Sequence, residues 1–370
     1  MKADPDGRAG EAGAAEADLS PARVAGLDRG RMLDAVAELP RQLTAGFAAA
    51  AAKLRAVPPP PSPRAVVICG MGGSAIGADL VLAALPDLPV PATVVRGYRL
   101  PAWAGPETLV IPVSYSGDTE ETLACAAQAL AAGSSCACVA SGGGLAAFAD
   151  ERRLALLRVP GGGQPRAAVG YLAMSLLATL AWAGLCRDCE ADVSEAAALL
   201  REGNSSLGPD MDDDANAAKR LARRCLRRQT IVYGAGLTVP AARRWKGQIN
   251  ENAKAPAFFN EIPELNHNEL MGWTSLPGVT AGTVAVFLDD AGEDARLRRR
   301  ADLTARGLAD WGVVVERVSS RGTSRLARVF SLVQLGDYSS VYLALLYGVD
   351  PTPVTAIQEL KAELAGDAAG

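Results

Sequence analysis

From Val66 onward the chain alternates short, wholly apolar runs with longer stretches of helical period. Val66–Cys69, Ala92–Val95, Thr108–Val113 and Cys136–Ala140 predict strands, while Ser74–Leu85 and Thr119–Ala132 predict helices, with a further long helix after Arg166. Apolar strands alternating with helices predict a parallel sheet covered on both faces. The second half repeats the plan. TIVYGAG at Thr230–Gly236 echoes VVICGMG at Val66–Gly72, and strands are expected at Val284–Leu288 and Val313–Val318, separated by a helix over Glu293–Trp311. The predicted class is α/β, with two similar domains facing each other and a ligand between them.

Ahead of the first strand, Leu27 to about Lys53 reads as an amphipathic helix, followed by the proline-rich hinge PPPPSPR at Pro58–Arg64. The expected organisation is a disordered tail over 1–25, a first domain with its leading helix over 26–190, a connector over 191–214 and a second domain over 215–370. The tail carries neither the basic start nor the apolar stretch of a secretion signal. Ala167 to Cys186 is uncharged and long enough to span a bilayer. Its alanine content and internal Ser175 and Thr179 favour instead a helix pressed between a sheet and another subunit.

Composition narrows the function classes. With 37 basic against 41 acidic residues the net charge is only −4, so no bulk field recruits nucleic acid or an anionic membrane. Lys219, Arg220, Arg223, Arg224, Arg227 and Arg228 share a helical face, but few aromatics accompany them, which favours a solvated outer face; Asp212–Asp214 would sit at the start of that helix. The seven cysteines are scattered in apolar runs and imply reduced thiols in a cytoplasm. Cys186 and Cys189 form one CxxC without a companion pair, too few ligands for tetrahedral zinc. A small-molecule substrate and no metal are expected.

Candidate chemistry concentrates in three places. GMGGSAIGADL at Gly70–Leu80 follows a strand and opens a helix, a backbone suited to an anion. Gly70, Gly72 and Ala75 also satisfy a dinucleotide fingerprint, although the next strand ends at Arg96 and not at an acidic residue. SYSGDTEETL sets Ser114, Ser116 and Thr119 around a glycine at another helix start, which suits a phosphate ester. Asp118 with Glu121 forms an alternative capping box that needs no ligand. Finally, Lys246–Trp273 contains the only histidine, His267, and Glu251 at the head of a helix. The imidazole is a candidate for proton transfer and the carboxylate a candidate base, against the plainer readings of a turn and a cap.

KGQINENAK followed by PELNHNELMGW resembles the bifunctional phosphoglucose/phosphomannose isomerases, a family of two sugar-isomerase (SIS) domains. GMGGSAIGADL, SYSGDTEETL and DPTPVTAIQELK at Asp350–Lys361 agree in order, from about residue 27 to 365. The resemblance implies two SIS-type domains and isomerisation of glucose 6-phosphate and mannose 6-phosphate to fructose 6-phosphate without a metal or redox cofactor. It implies that Gly72, Gly73, Ser74, Ser114, Ser116 and Thr119 hold the phosphate, that His267 and Lys361 assist ring opening, that Glu251 is the base, and that Arg166 stabilises the anionic intermediate. Thr352 or Thr355 would make room for both epimers. It also implies a homodimer in which His267 crosses the interface. A non-catalytic phosphosugar-binding SIS protein, an isomerase of another phosphosugar and a dinucleotide oxidoreductase remain as alternatives.

Overall fold

The computed structural model describes residues 18–367. The first sheet contains β1 (Ala65–Cys69), β2 (Ala92–Val95), β3 (Thr108–Ser114), β4 (Ser135–Ala140) and β5 (Ala155–Arg158), all parallel in the order β2-β1-β3-β4-β5. The second contains β6 (Gln229–Ala235), β7 (Ala257–Ile262), β8 (Thr283–Asp289) and β9 (Val314–Ser319), again parallel, in the order β7-β6-β8-β9. The first four strands of each sheet therefore share one winding, as the echo between the two halves predicts. In both sheets the strand order reverses between the first and third strands, where loops diverge and leave a crevice for ligands.

Val169–Trp182 is buried from Val169 to Leu180. It packs against Leu39–Leu54 and Gly72–Ala84 of the same chain, so the outer cover expected from another subunit is supplied within the chain. The leading helix is broken into Met32–Ala37 and Leu39–Leu54, with Pro40 in the first turn of the latter, a position where proline fits. Of the expected tail, residues 1–17 lie outside the described residues. Residues 18–25 do not follow that expectation, since Leu19 and Val24 are buried and Pro21–Leu27 is helical.

The stretch expected as a connector is largely the helix Glu190–Leu207, which packs on Arg325–Leu346. Arg325–Leu346 is long and apolar enough to cross a membrane, yet 89% of its apolar window is buried inside the protein. It touches helices from both halves, including Met32–Ala37, Gly72–Ala84 and Val239–Gln248. The largest apolar cluster accordingly runs from Leu19 to Leu346 without a break.

The basic stripe is a solvated face, as expected, except at Lys219: Arg220, Arg224 and Arg227 are exposed and Arg223 and Arg228 half-buried. Its helix is Ala217–Cys225, capped by the Asn216 side chain, and Lys219 is buried beneath it. The Lys219 ammonium donates to the Pro209 and Met211 carbonyls at 2.8 Å and pairs with Asp213, while Arg223 pairs with Asp213 and Arg224 with Glu316. Arg227 and Arg228 lie beyond the helix end. A buried charge must be paired and hydrogen-bonded, and Lys219 meets that requirement on the inner side of the helix.

Candidate active site

The two glycine- and serine-rich loops leave the ends of β1 and β3, on either side of the switch in strand order. Gly72 adopts φ +48°, a conformation that glycine takes without strain, and starts the helix Gly72–Ala84. A Cβ on Gly73 would stand 3.0 Å from the Pro165 carbonyl oxygen, so its missing side chain lets the turn lie directly against the backbone of Pro165–Arg166.

The Ser74 hydroxyl accepts from the Tyr115 amide at 3.3 Å, tying one loop to the other. Ser114 and Thr119 hydroxyls are 2.8 Å apart, and Ser114 Oγ accepts from Gly117 N. Ser116 is exposed and receives the Asp118 amide at 3.2 Å. The expected capping box is absent. Asp118 instead accepts from Gly144 N of the next loop, and Thr119 occupies the cap position without a capping bond. Thr119 is thereby left to Ser114.

Beside these loops lies a cavity of about 590 Å³ lined by Gly72, Gly73, Arg166 and Glu251, among others. Glu251 lies not at the head of a helix, as expected, but in a π-helical turn, Ile249–Ala253, that ends the helix Val239–Gln248. Such turns widen the helix and commonly mark functional positions. The flanking asparagines close the turn on both sides. Asn250 Oδ1 accepts from Ala257 N at the start of β7, while buried Asn252 accepts from Arg166 Nε at 2.7 Å and donates to Ser340.

Arg166 is 3% exposed. Its Nη2 donates to the Pro351 and Thr352 carbonyls at 2.8 Å and its Nη1 to Gln164. With the Nε bond to Asn252, four of the five guanidinium N–H groups are occupied, leaving one on Nη1. Nη1 stands 3.8 Å from Glu251 Oε2. Burial lowers the Arg166 pKa from its ordinary value, with nearby Arg244 pushing the same way and Glu251 opposing. A fixed guanidinium with one free donor is suited to stabilise negative charge that develops beside the carboxylate.

His267 and Lys361 are not brought to this cavity within the chain. His267 ends an exposed 3₁₀ turn, Glu264–His267, and Lys361 is exposed on the helix Thr355–Asp367. Thr352 turns its carbonyl to Arg166, and its buried hydroxyl, beside Gly30, has no partner. Thr355 is exposed at the start of that last helix. Among the described residues no three His, Cys, Asp or Glu side chains cluster to hold a metal ion, so Cys186 and Cys189 gain no further ligand.

Residues 214–364 match the bacterial phospho-glucose isomerase C-terminal SIS domain. A bifunctional phosphoglucose/phosphomannose isomerase from Caldicellulosiruptor bescii is 42% identical over 304 residues, covering 81% of this chain and 89% of the relative. The chain belongs to the bifunctional phosphoglucose/phosphomannose isomerase family. A second member, from Aquifex aeolicus, is 38% identical over 303 residues, 81% of this chain and 90% of its own. A glucose-6-phosphate isomerase-like protein from Thermus thermophilus shares the fold, with a TM-score of 0.62 at 24% identity over 93% of this chain and 98% of its own. Family and fold thus agree with the resemblance carried by the motifs.

Several residues of the cavity carry no role in the reading of the sequence. Arg96, Arg243, Arg244, Lys246, Gln248 and Phe259 also line the cavity. Arg96 and Arg243 share the Asp79 carboxylate, and Arg243 lies 5.1 Å from the Phe259 ring centre. Arg244 forms a two-point pair with Asp337, Nε to Oδ1 at 2.9 Å and Nη2 to Oδ2 at 2.6 Å, and Nη2 also reaches the Arg166 carbonyl. Burial pushes the Asp337 carboxyl up, against the pull of Arg244 and Gln248. The sequence signals among them are Arg96, which stands where a ribose-binding acid belongs, and Lys246 and Gln248, which fall inside the KGQINENAK motif.

Proposed function

We propose that the protein interconverts glucose 6-phosphate and mannose 6-phosphate with fructose 6-phosphate through a cis-enediol. The observation that carries the mechanism is the Glu251 carboxylate beside the Arg166 guanidinium, in a cavity that opens on the Gly72–Gly73 turn. The substrate phosphate binds at Gly72, Gly73, Ser74, Ser114, Ser116 and Thr119, anchoring the open-chain sugar with C1 and C2 at Glu251. Glu251 removes the C2 proton, the C–H electron pair forms the C1=C2 bond, and the carbonyl π pair moves onto O1. The free Nη1 hydrogen of Arg166 stabilises that oxygen. The O2 hydroxyl proton then passes to O1, the O2 electron pair re-forms a carbonyl at C2, and the C1=C2 pair takes the returned proton at C1 to complete the ketose. The carbonyl itself acidifies the α-proton, so this chemistry needs neither a metal nor a redox carrier. Rotation about C2–C3 lets one base serve both epimers, with Thr352 or Thr355 making room.

Ring opening falls to His267 and Lys361, which exchange a proton between O1 and O5. Their exposure and their absence from the cavity lining support a homodimer in which His267 of a second subunit completes the site. The two SIS units are taken as residues 26–190 and 215–370, joined by 191–214. The seven free cysteines support a reducing compartment, the cytoplasm.

A coupled assay with chelator present, on glucose 6-phosphate and mannose 6-phosphate, tests the reading. Both sugars are expected to turn over, and Glu251→Gln is expected to lower kcat by about 10²–10⁴-fold, the usual scale for a lost general base. Normal turnover by Glu251→Gln removes it from that role. Tight binding of either sugar without turnover by the wild type favours a non-catalytic phosphosugar-binding protein.

A further inference from the structure

Lys254 closes the π-helical turn that carries Glu251, and it does so at φ +56°. The left-handed region is costly for a residue with a side chain and free of that cost for glycine. The lysine is held there by its ammonium. Nζ donates to the Glu251 carbonyl at 2.6 Å and to the Pro351 carbonyl at 2.9 Å. Pro351 O is also an acceptor for Arg166 Nη2. One cation therefore fastens the main chain of the base to the same carbonyl that orients the anion-stabilising arginine. It does not line the cavity.

We propose that Lys254 is a positioning residue for the isomerase reaction, its ammonium fixing Glu251 and Arg166 relative to each other through the Glu251 and Pro351 carbonyls. The inference rests on Glu251 being the base. Strain held at a non-glycine residue beside a reacting group is the kind of backbone outlier that points to such a role.

The charge on this ammonium is lost within the working range of an assay. Burial lowers the Lys254 pKa to about 8, Arg166 adds to the shift, and Asp350 and Glu251 oppose it. Above that pH the two carbonyls lose a charged donor and the turn loosens. Stability moves the other way. The folded pKa lies below the ordinary lysine value of 10.5, so the unfolded chain binds more protons between those values and this group's contribution to stability rises with pH there. Falling kcat while the fold holds or gains stability separates positioning from a merely structural role.

The test compares Lys254→Gly and Lys254→Arg with the wild type and Glu251→Gln, on glucose 6-phosphate, between pH 6.5 and 10, with thermal melting alongside. Glycine takes the left-handed turn without strain, so the backbone conformation is spared while the side chain and its ammonium are removed. Lys254→Gly is expected to lower kcat about tenfold or more, with KM within about twofold, the signature of misplaced catalytic groups. The wild type should lose kcat above about pH 8. Lys254→Arg, charged throughout, should restore kcat and keep it through this range. Unchanged kcat in Lys254→Gly overturns the inference, and so does an alkaline fall in Lys254→Arg that coincides with the wild type's. If Glu251→Gln turns over normally, the base assignment fails and takes this inference with it. If Glu251→Gln is inactive while Lys254→Gly is not, the inference alone fails.

Discussion

Asp337→Ala isolates the cost of the buried pair under the active site. Arg244 and Asp337 side chains are 2% and 4% exposed, and the carboxylate also accepts from Gln248 Nε2 at 3.0 Å. Truncation leaves a guanidinium in the interior with its main partner gone. Breaking such a pair from one side costs about 3–5 kcal/mol. For a 370-residue chain, an unfolding entropy of about 2.1 cal/mol/K per residue gives ~0.8 kcal/mol/K, so Tm should fall by about 4–6 °C if the chain melts as one unit.

The double variant Arg244→Met/Asp337→Leu removes both charges and should recover most of the loss, to within about 1–2 kcal/mol of wild type. Turnover should stay low in the double variant, because the Arg166 carbonyl loses the donor that Arg244 Nη2 supplies. Melting monitored by circular dichroism and a coupled isomerase assay read the two quantities separately. A single variant that melts with the wild type, or a double variant no more stable than Asp337→Ala, refutes the reasoning.

Two further outcomes concern the phosphate loops and the assembly. Ser114→Ala removes the hydroxyl shared by Thr119 and Gly117 N and should raise KM for the sugar phosphate about 10–150-fold, one hydrogen bond to a charged group, with a smaller change in kcat; an unchanged KM takes Ser114 out of phosphate binding. Mixing Glu251→Gln with His267→Ala protein under subunit exchange should regenerate activity that neither has alone. No recovery despite demonstrated exchange means that His267 does not cross an interface.

The strands legible in the sequence are those with continuous apolar runs between glycines, β1 and β3 above all, because burial on both faces leaves no ambiguity of pattern. β7, AFFNEI, is not legible as a strand: it lies at the edge of its sheet, four of its six residues keep partial or full exposure, and Asn260 and Glu261 break the run. The helix Arg325–Leu346 was missed for the opposite reason. Eighteen of its 22 residues are buried, and burial all round erases the 3.6-residue period. The phosphate loops were legible because glycine and hydroxyl side chains at strand ends have local meaning. Arg244 with Asp337 was not, since the partners lie 93 residues apart and only folding joins them. Lys254 was invisible for a third reason: its significance comes from a dihedral angle, and nothing in the string NENAKAP announces it.

The guanidinium of Arg166, which follows the first sheet, is gripped by oxygens from positions 164, 252, 351 and 352, and three of those four lie beyond the start of the second sheet. Neither half of the chain alone supplies all the acceptors that hold this side chain. A swap of one lobe keeps this side chain in place only if the incoming lobe presents oxygens where Asn252, Pro351 and Thr352 stand, so each sheet is complete in itself while the grip on Arg166 is not.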